Sequence, residues 1–364
     1  MEDIMDFKKL VDKYKKDNES INDTIAKEIL HYEILESLFA ATKIANKLVF
    51  QGGTALRICY DNNRYSEDLD FALVDVEDFD STNLDDFKKH FSQKIKDKYN
   101  LDVEIIEPKK ASQFIKKWEA KIALNFLHRK SKINIEIACI PSYDNQNMPI
   151  KENYKEIGTN IILRVESLRE ILADKLIALL CRDYIKYRDL WDIKYLKDRN
   201  IISDYELVRK KLIDYNHTDE NTIKIMFENK EKQLNNKELE NEFYNEMIRF
   251  LDEKIFDYCK NNNYFSDVLK IAKDEFEKLK KEILPNQDLT LEDELSQLSK
   301  DLKISIIELA RLFERYKNLN NKDDDMFWIG YHDVKENLKK CFDKYCNSHE
   351  CEIHIENKTK RKFH

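Results

Sequence analysis

Two adjacent glycines and two aspartates one residue apart are the groups in this chain best suited to handling phosphate. Gly52 and Gly53 are half of the 4 glycines among 364 residues. They follow the apolar run Leu48-Val49-Phe50 and precede a helix-like segment, Thr54 to Tyr60. Strand, tight turn and helix start, in that order, leave backbone N–H groups unpaired and aimed at an anion. Asp68 and Asp70 come next, separated by Leu69 and followed by Phe71. Positions i and i+2 of a strand share a face, so the spacing predicts both carboxylates on one side and Leu69 and Phe71 against the core. Like charges that close repel, and a hard, oxygen-binding cation such as Mg²⁺ between them relieves the repulsion. Further on, Lys175 sits inside the apolar helical stripe Leu168, Ile171, Leu172, Leu176, Leu179 and Leu180. An ammonium on a buried face is costly unless it reaches water or an anion. Arg182, two turns on, shares its direction, and both suit a helix end bordering a cleft that holds a nucleoside triphosphate.

A glycine turn joined to D-x-D is the plan of nucleotidyltransferases of the DNA polymerase β type. The wording here is more specific: G-G-T-A-L-R from Gly52 to Arg57, then R-Y-S-E-D-L-D-F from Arg64 to Phe71. A helical A-x-K-L (Ala173 to Leu176) follows, then Arg182, then R-D-x-x-D from Arg188 to Asp192. Together these resemble the AbiEii family, the nucleotidyltransferase toxins of type IV toxin–antitoxin and phage abortive-infection systems. The resemblance covers roughly residues 25–250.

That resemblance implies an α+β fold: a polymerase-β-like nucleotidyltransferase core, its small mixed sheet flanked by helices. It implies metal-dependent transfer of a nucleoside monophosphate from an NTP, with Asp68 and Asp70 holding Mg²⁺ or Mn²⁺. A third carboxylate is expected from a neighbouring strand. Glu136, on I-N-I-E-I-A-C-I, is the natural candidate and Glu104 the reserve, while Asn134 can occupy the register where the family more often carries Asp. Gly52, Gly53, Thr54 and Ser66 would cradle the triphosphate, with Lys175, Arg57, Arg64, Arg182 and Arg188 around its charge. The family needs its lysine, here Lys175, and one following aspartate, either Asp189 or Asp192. Arg188 and Asp192 are also i,i+4 neighbours with Asp189 on the same face, which suits an ion-pair lock holding the helix to the core. The implied acceptor is RNA, such as the 3′ end of a tRNA, and the implied partner is a cognate antitoxin protein. Two other classes fit the same residues: nucleotidylation of a protein hydroxyl (AMPylation), and a catalytically weak nucleotide-binding module that works through its helical tail.

The elements that must position these groups follow from periodicity. Residues 1–46 read mostly as helix, with Ile25, Ile29, Tyr32, Leu35, Leu38 and Phe39 at helical spacing. Strands are expected at Lys47–Phe50, through the D-x-D to Val74, at Leu101–Ile106 and at Ile133–Ile140, where Ile133, Ile135 and Ile137 face one way and Asn134 and Glu136 the other. Phe87–Tyr99 reads as helix, and the stretch from Pro141 to about Leu163 as a connection. The organisation expected is a transferase core over 1–200, a helical lobe over 201–284 and a helical C-terminal extension over 285–364. Residues 109–132 carry eight Lys or Arg against the single acid Glu119, with Phe114, Trp118 and Phe126 interleaved. That mixture suits phosphates and bases, and it marks the place to look for acceptor RNA. In the tail, residues 291–316 loosely resemble a helix-turn-helix and suit a packing or partner helix better. Cys341, Cys346, His349, Cys351 and His354 do not form a standard zinc set.

Bulk composition sets the limits. Hydrophobic residues at 42% and charged ones at 37% describe a globular, well-solvated chain, and the net charge of −8 confines any nucleic-acid surface to a local patch. No apolar run approaches the ~20 residues of a bilayer span, and the N-terminal residues lack a signal-peptide core. Seven cysteines without scaffold spacing fit a reducing cytoplasm.

Overall fold

A computed structural model describes residues 4–15, 19–41, 43–80, 82–108, 114–124, 126, 129–158 and 161–284. The helix-turn-helix-like segment and the cysteine–histidine cluster of the tail lie outside the described residues. At the centre is a mixed seven-stranded sheet in the order β3-β4-β5-β2-β1-β7-β6. Its strands are β1 (Leu48–Gln51), β2 (Leu69–Leu73), β3 (Val103–Ile106), β4 (Ile115–Leu124), β5 (Arg129–Pro141), β6 (Asn145–Pro149) and β7 (Ile162–Glu166). The two middle strands, β1 and β2, run antiparallel, and each has a parallel outer neighbour, β7 and β5.

The local reasons are legible. Leu48, Val49 and Phe50 are buried on both faces, as an interior strand requires. Phe50 and Phe71 sit opposite each other in register with ring centres 5.3 Å apart. Gly52 follows at φ +78°, and helix α3 (Gly52–Tyr60) starts there, two residues before the expected Thr54. Asp68 stands just before β2 rather than within it. The helix expected over 1–46 is two α-helices, α1 (Phe7–Tyr14) and α2 (Glu19–Ala41), followed by a short 3₁₀ turn. The middle of α2 is buried all round, and its charged groups are paired: Glu28 with Arg57, and Glu33 with Lys94 and Lys98 of α4 (Asp85–Tyr99).

Three strands were not anticipated. The basic stretch contains β4, whose Trp118, Ala120, Ile122 and Leu124 point inward while Lys117 points out. Its charge masked a period of two. The connection after Pro141 contains β6 and β7, too short and, in β6, too polar to register as strands.

After β7 the chain is helical: α5 (Leu168–Cys181), α6 (Tyr187–Asp198), α7 (Tyr205–Asp214), α8 (Glu220–Leu234), α9 (Leu239–Met247), α10 (Glu253–Asn261) and α11 (Tyr264–Ile283). Phe243 of α9 stacks on Trp191 of α6 and packs on Phe265 of α11, so these helices buttress α6. Residues up to Lys280 form one compact unit. Among the described residues no helix is long and apolar enough to cross a membrane.

A buried charge cluster ties α7 to the sheet. Lys211 lies 2.6 Å from Asp174, 2.8 Å from Glu170 and 3.2 Å from Glu166, and its side chain is 1% exposed. Burial pushes the Glu166 carboxyl well above its usual range, with Asp174 adding to the effect. Removing one partner of such a cluster strands the others. Lys211→Ala is expected to cost about 3–5 kcal/mol in equilibrium denaturation; a loss below about 1 kcal/mol would mean the cluster behaves like a surface ion pair.

Candidate functional site

The sheet register brings the acidic groups together. Asp70 on β2 is aligned with Glu136 on β5 and with Gln51 on β1. Asp68 is held by Asn134, whose side-chain amide donates to it at 2.8 Å, and Glu136 by Lys117 at 2.7 Å. Asp68, Asp70 and Glu136 line one cleft of about 240 Å³ with Gly52 and Gly53. Burial pushes the Asp70 carboxyl up to about 6, and the neighbouring Glu136 and Asp68 push in the same direction. Glu104 lies exposed on the outer strand β3, two strands beyond Glu136, and does not reach the cleft.

The glycines are sterically required. A Cβ on Gly52 would come 2.7 Å from the Asp70 carboxylate oxygen, and one on Gly53 would collide with the Arg64 guanidinium. The turn therefore lies directly against the acidic floor, and α3 begins there with its first N–H groups unpaired by the helix. Thr54 is buried and donates its hydroxyl to the Asp68 carbonyl, fixing the backbone that carries the carboxylate. Ser66 lines the cleft. Arg57 does not: it bonds Glu28 at 2.9 Å and lies 4.2 Å over the Tyr65 ring.

The opposite wall is cationic and comes from α5, α6 and the loop between them. Lys175, Arg182, Lys186 and Arg188 line the cleft, as does Asp189. Lys175 sits 2.8 Å from both Asp189 and Asp192, and Arg182 bonds Asp189. Asp192 lies behind, fully buried, gripped by Arg64 through both carboxylate oxygens (2.6 and 2.5 Å) and by the Asn62 amide at 2.9 Å. An ion-pair lock exists, but not between Arg188 and Asp192. Arg188 instead reaches Glu246 at 3.1 Å and Glu67 at 3.4 Å, because Arg64 and Lys175 already saturate Asp192. Burial alone would raise both aspartates; Lys175 and Arg182 outweigh it at Asp189, and Arg64 and Lys175 at Asp192, so both are held below the usual carboxylate range. Lys175 is held charged by the same two aspartates against its burial. Lys186 is pushed below the usual lysine range by burial and by Arg188, and its ammonium has no hydrogen-bond or ion-pair partner among the described residues.

Sequence reasoning overlooked Lys186 and the anchoring roles of Arg64 and Asn62. Lys186 stands two residues before Arg188 with nothing in its spacing to mark it. Arg64 lies inside a quoted motif, yet only the structure pairs it with a residue 128 positions away. In the described part of the basic stretch, Trp118 is in the core while Lys117 and Lys132 are exposed. Lys116 donates to the Phe79 and Asp80 carbonyls, Lys132 pairs with Glu119, and the buried Trp118 donates to Glu107. Trp118 therefore has no open face for a base.

The donor set suits a hard divalent cation in kind: Asp68 and Asp70 are oxygen ligands with an excess of negative charge. No three acidic, imidazole or thiol side chains among the described residues form a ready-made cage. Asp68 and Asp70 can serve as they stand, whereas Glu136 must first exchange Lys117 for the ion.

The family model described as "Nucleotidyl transferase AbiEii toxin, Type IV TA system" matches residues 33–271. No curated protein matches the chain. Among solved structures it is similar to MenT4, a nucleotidyltransferase toxin from Mycobacterium tuberculosis H37Rv, at 21% identity and a TM-score of 0.42 over 56% of this chain and 68% of that one. It is also similar to JHP933 from Helicobacter pylori, at 22% identity and a TM-score of 0.33 over 53% of this chain and 73% of that one.

The buried pairs carry a pH signature. Carboxylates depressed in the folded state contribute stability that is complete above their unfolded pKa and lost as pH falls through the folded one. Asp189 and Asp192 should thus make stability fall with acidification below about pH 4. In Arg64→Met the acid limb of a stability–pH curve is expected to flatten; an unchanged limb would mean Asp192 owes nothing to Arg64.

Proposed function

The chain belongs to the AbiEii family of type IV toxin–antitoxin nucleotidyltransferases, and on that premise we propose that it moves a nucleoside monophosphate from a metal-bound NTP onto the 3′ end of an RNA such as tRNA. The observation that supports this most is that the carboxylates Asp68 and Asp70, the Gly52–Gly53 turn and the cations Lys175, Arg182 and Lys186 line a single cleft. That is the charge pattern a metal–triphosphate requires on its two sides.

In this reading the first N–H groups of α3 donate to the phosphate oxygens, and Lys175, Lys186 and Arg182 neutralise charge as it builds toward the leaving pyrophosphate. Asp68 and Asp70 would hold Mg²⁺ or Mn²⁺, and Glu136, now paired with Lys117, would be the third carboxylate beside them. The ion, when bound, lowers the pKa of the attacking hydroxyl and stabilises phosphate charge. The acceptor oxygen bonds to the α-phosphorus, the bond to the β-phosphate oxygen breaks, and Glu136 is placed to receive the hydroxyl proton. Asp189 and Asp192 do no bond-making here. They hold Lys175 charged and aimed. A toxin of this type is kept silent by a protein antitoxin, and the RNA it modifies would no longer serve translation.

The test is incubation with each α-labelled NTP, Mg²⁺, total tRNA and protein extract. Label on RNA is the expected result. Label on protein would point to AMPylation, and NTP binding without transfer to a nucleotide-binding module. Asp70→Asn and Lys175→Ala are each expected to lower kcat by about 10²–10³-fold. Asp70→Asn should leave the melting temperature unchanged or raised, because it removes a repelled charge. Full activity in either variant would rule out this site.

A further inference from the structure

Beyond Lys186 the phosphate cleft opens into a second cavity of about 440 Å³, within the range that small ligands occupy. Lys186 and Arg188 line both spaces, so the two adjoin at these cations. Its walls come from Tyr184 in the α5–α6 loop, from Glu242 and Asn245 on α9, and from Arg249. The floor is rigid. Arg188 is bonded to Glu246 and Glu67, and its guanidinium lies 4.2 Å from the centre of the buried Phe250 ring.

The walls are not satisfied in the same way. The Tyr184 side chain is 65% exposed. Among the described residues neither Tyr184 nor Asn245 has a hydrogen-bond or ion-pair partner. Glu242 accepts from the Tyr187 hydroxyl through one carboxylate oxygen, and the other has no bond among the described residues. An uncovered aromatic face, a free amide and a free carboxylate oxygen thus surround a space that shares two cationic side chains with the catalytic cleft. A planar ring with polar edges, tethered to phosphate, complements every one of these groups.

We infer that this cavity is a nucleobase subsite, in which Tyr184 is the stacking surface and Asn245 and Glu242 meet the base edge. The inference rests on the nucleotide-transfer reading above and deepens it. The base has two sources, the incoming NTP or the terminal residue of the acceptor strand. Aromatic stacking on a base changes affinity by about fivefold to a hundredfold.

Full-length wild type, Tyr184→Ala, Tyr184→Phe and Asn245→Ala would be compared in three measurements. Calorimetry with Mg²⁺ gives affinities for each of the four NTPs and for inorganic tripolyphosphate. Transfer assays give KM for a single-stranded RNA oligonucleotide and for the same oligonucleotide with an abasic 3′ residue. If the incoming base sits here, Tyr184→Ala weakens NTP binding by at least about fivefold while tripolyphosphate binding holds, and Tyr184→Phe restores it. If the acceptor base sits here, NTP affinity holds, KM for the intact oligonucleotide rises by a similar factor, and the abasic one loses its sensitivity to the substitution. Unchanged affinity and KM in Tyr184→Ala and Asn245→Ala, with transfer intact, overturns the subsite alone. Wild type that binds neither tripolyphosphate nor any NTP overturns the nucleotide reading, and the subsite with it.

Discussion

The cleft depends on a buried chain of ion pairs, Arg64–Asp192–Lys175–Asp189–Arg182, that crosses from the loop before β2 to α5 and α6. Three cations share two carboxylates, so Lys175 remains charged in a place where burial alone would neutralise it. Four of these five side chains are at most 12% exposed, and Arg182 at the rim is 37% exposed. Breaking such a network in one place leaves a charge uncompensated in low dielectric. The helices downstream serve the same end: α9 packs on α6, and Glu246 and Glu67 take up Arg188, leaving Asp192 to Arg64 and Lys175.

Against that wall stands a floor with the opposite imbalance. Asp70 is short of counter-charge, and its neighbours Asp68 and Glu136 worsen the shortage, while Asn134 and Lys117 hold those neighbours in place. Asn134 orients Asp68 through its side-chain amide. The protein thus maintains an unneutralised acidic floor and a cationic wall on either side of one glycine turn. Separated charge of this kind is unfavourable to the empty fold and favourable to a ligand that is positive on one side and negative on the other.

Much of this was legible in the residues. The Gly52–Gly53 turn, the Asp68/Asp70 spacing, the alternation of β5 and the lysine inside the α5 stripe each follow a local period or a conformational need. What was not legible is long-range. Arg57 and Arg64 lie in the same motif neighbourhood and look equally suited to phosphate, yet one is taken by Glu28 and the other by Asp192. Only the packing of α2 and α6 decides that. The basic stretch holds a second pattern under its charge: a period of two commits Trp118, Ile122 and Leu124 to the core. Short strands such as β6 and β7 draw their stability from neighbours and carry little signal of their own.

The most direct test of the account is a crystal structure with Mn²⁺ and a non-hydrolysable NTP, read by anomalous scattering. The expected result is a manganese peak at the Asp68 and Asp70 carboxylates, with the triphosphate at the α3 N-terminus and Lys175. A metal peak elsewhere, or a triphosphate bound away from the Gly52–Gly53 turn, would contradict it.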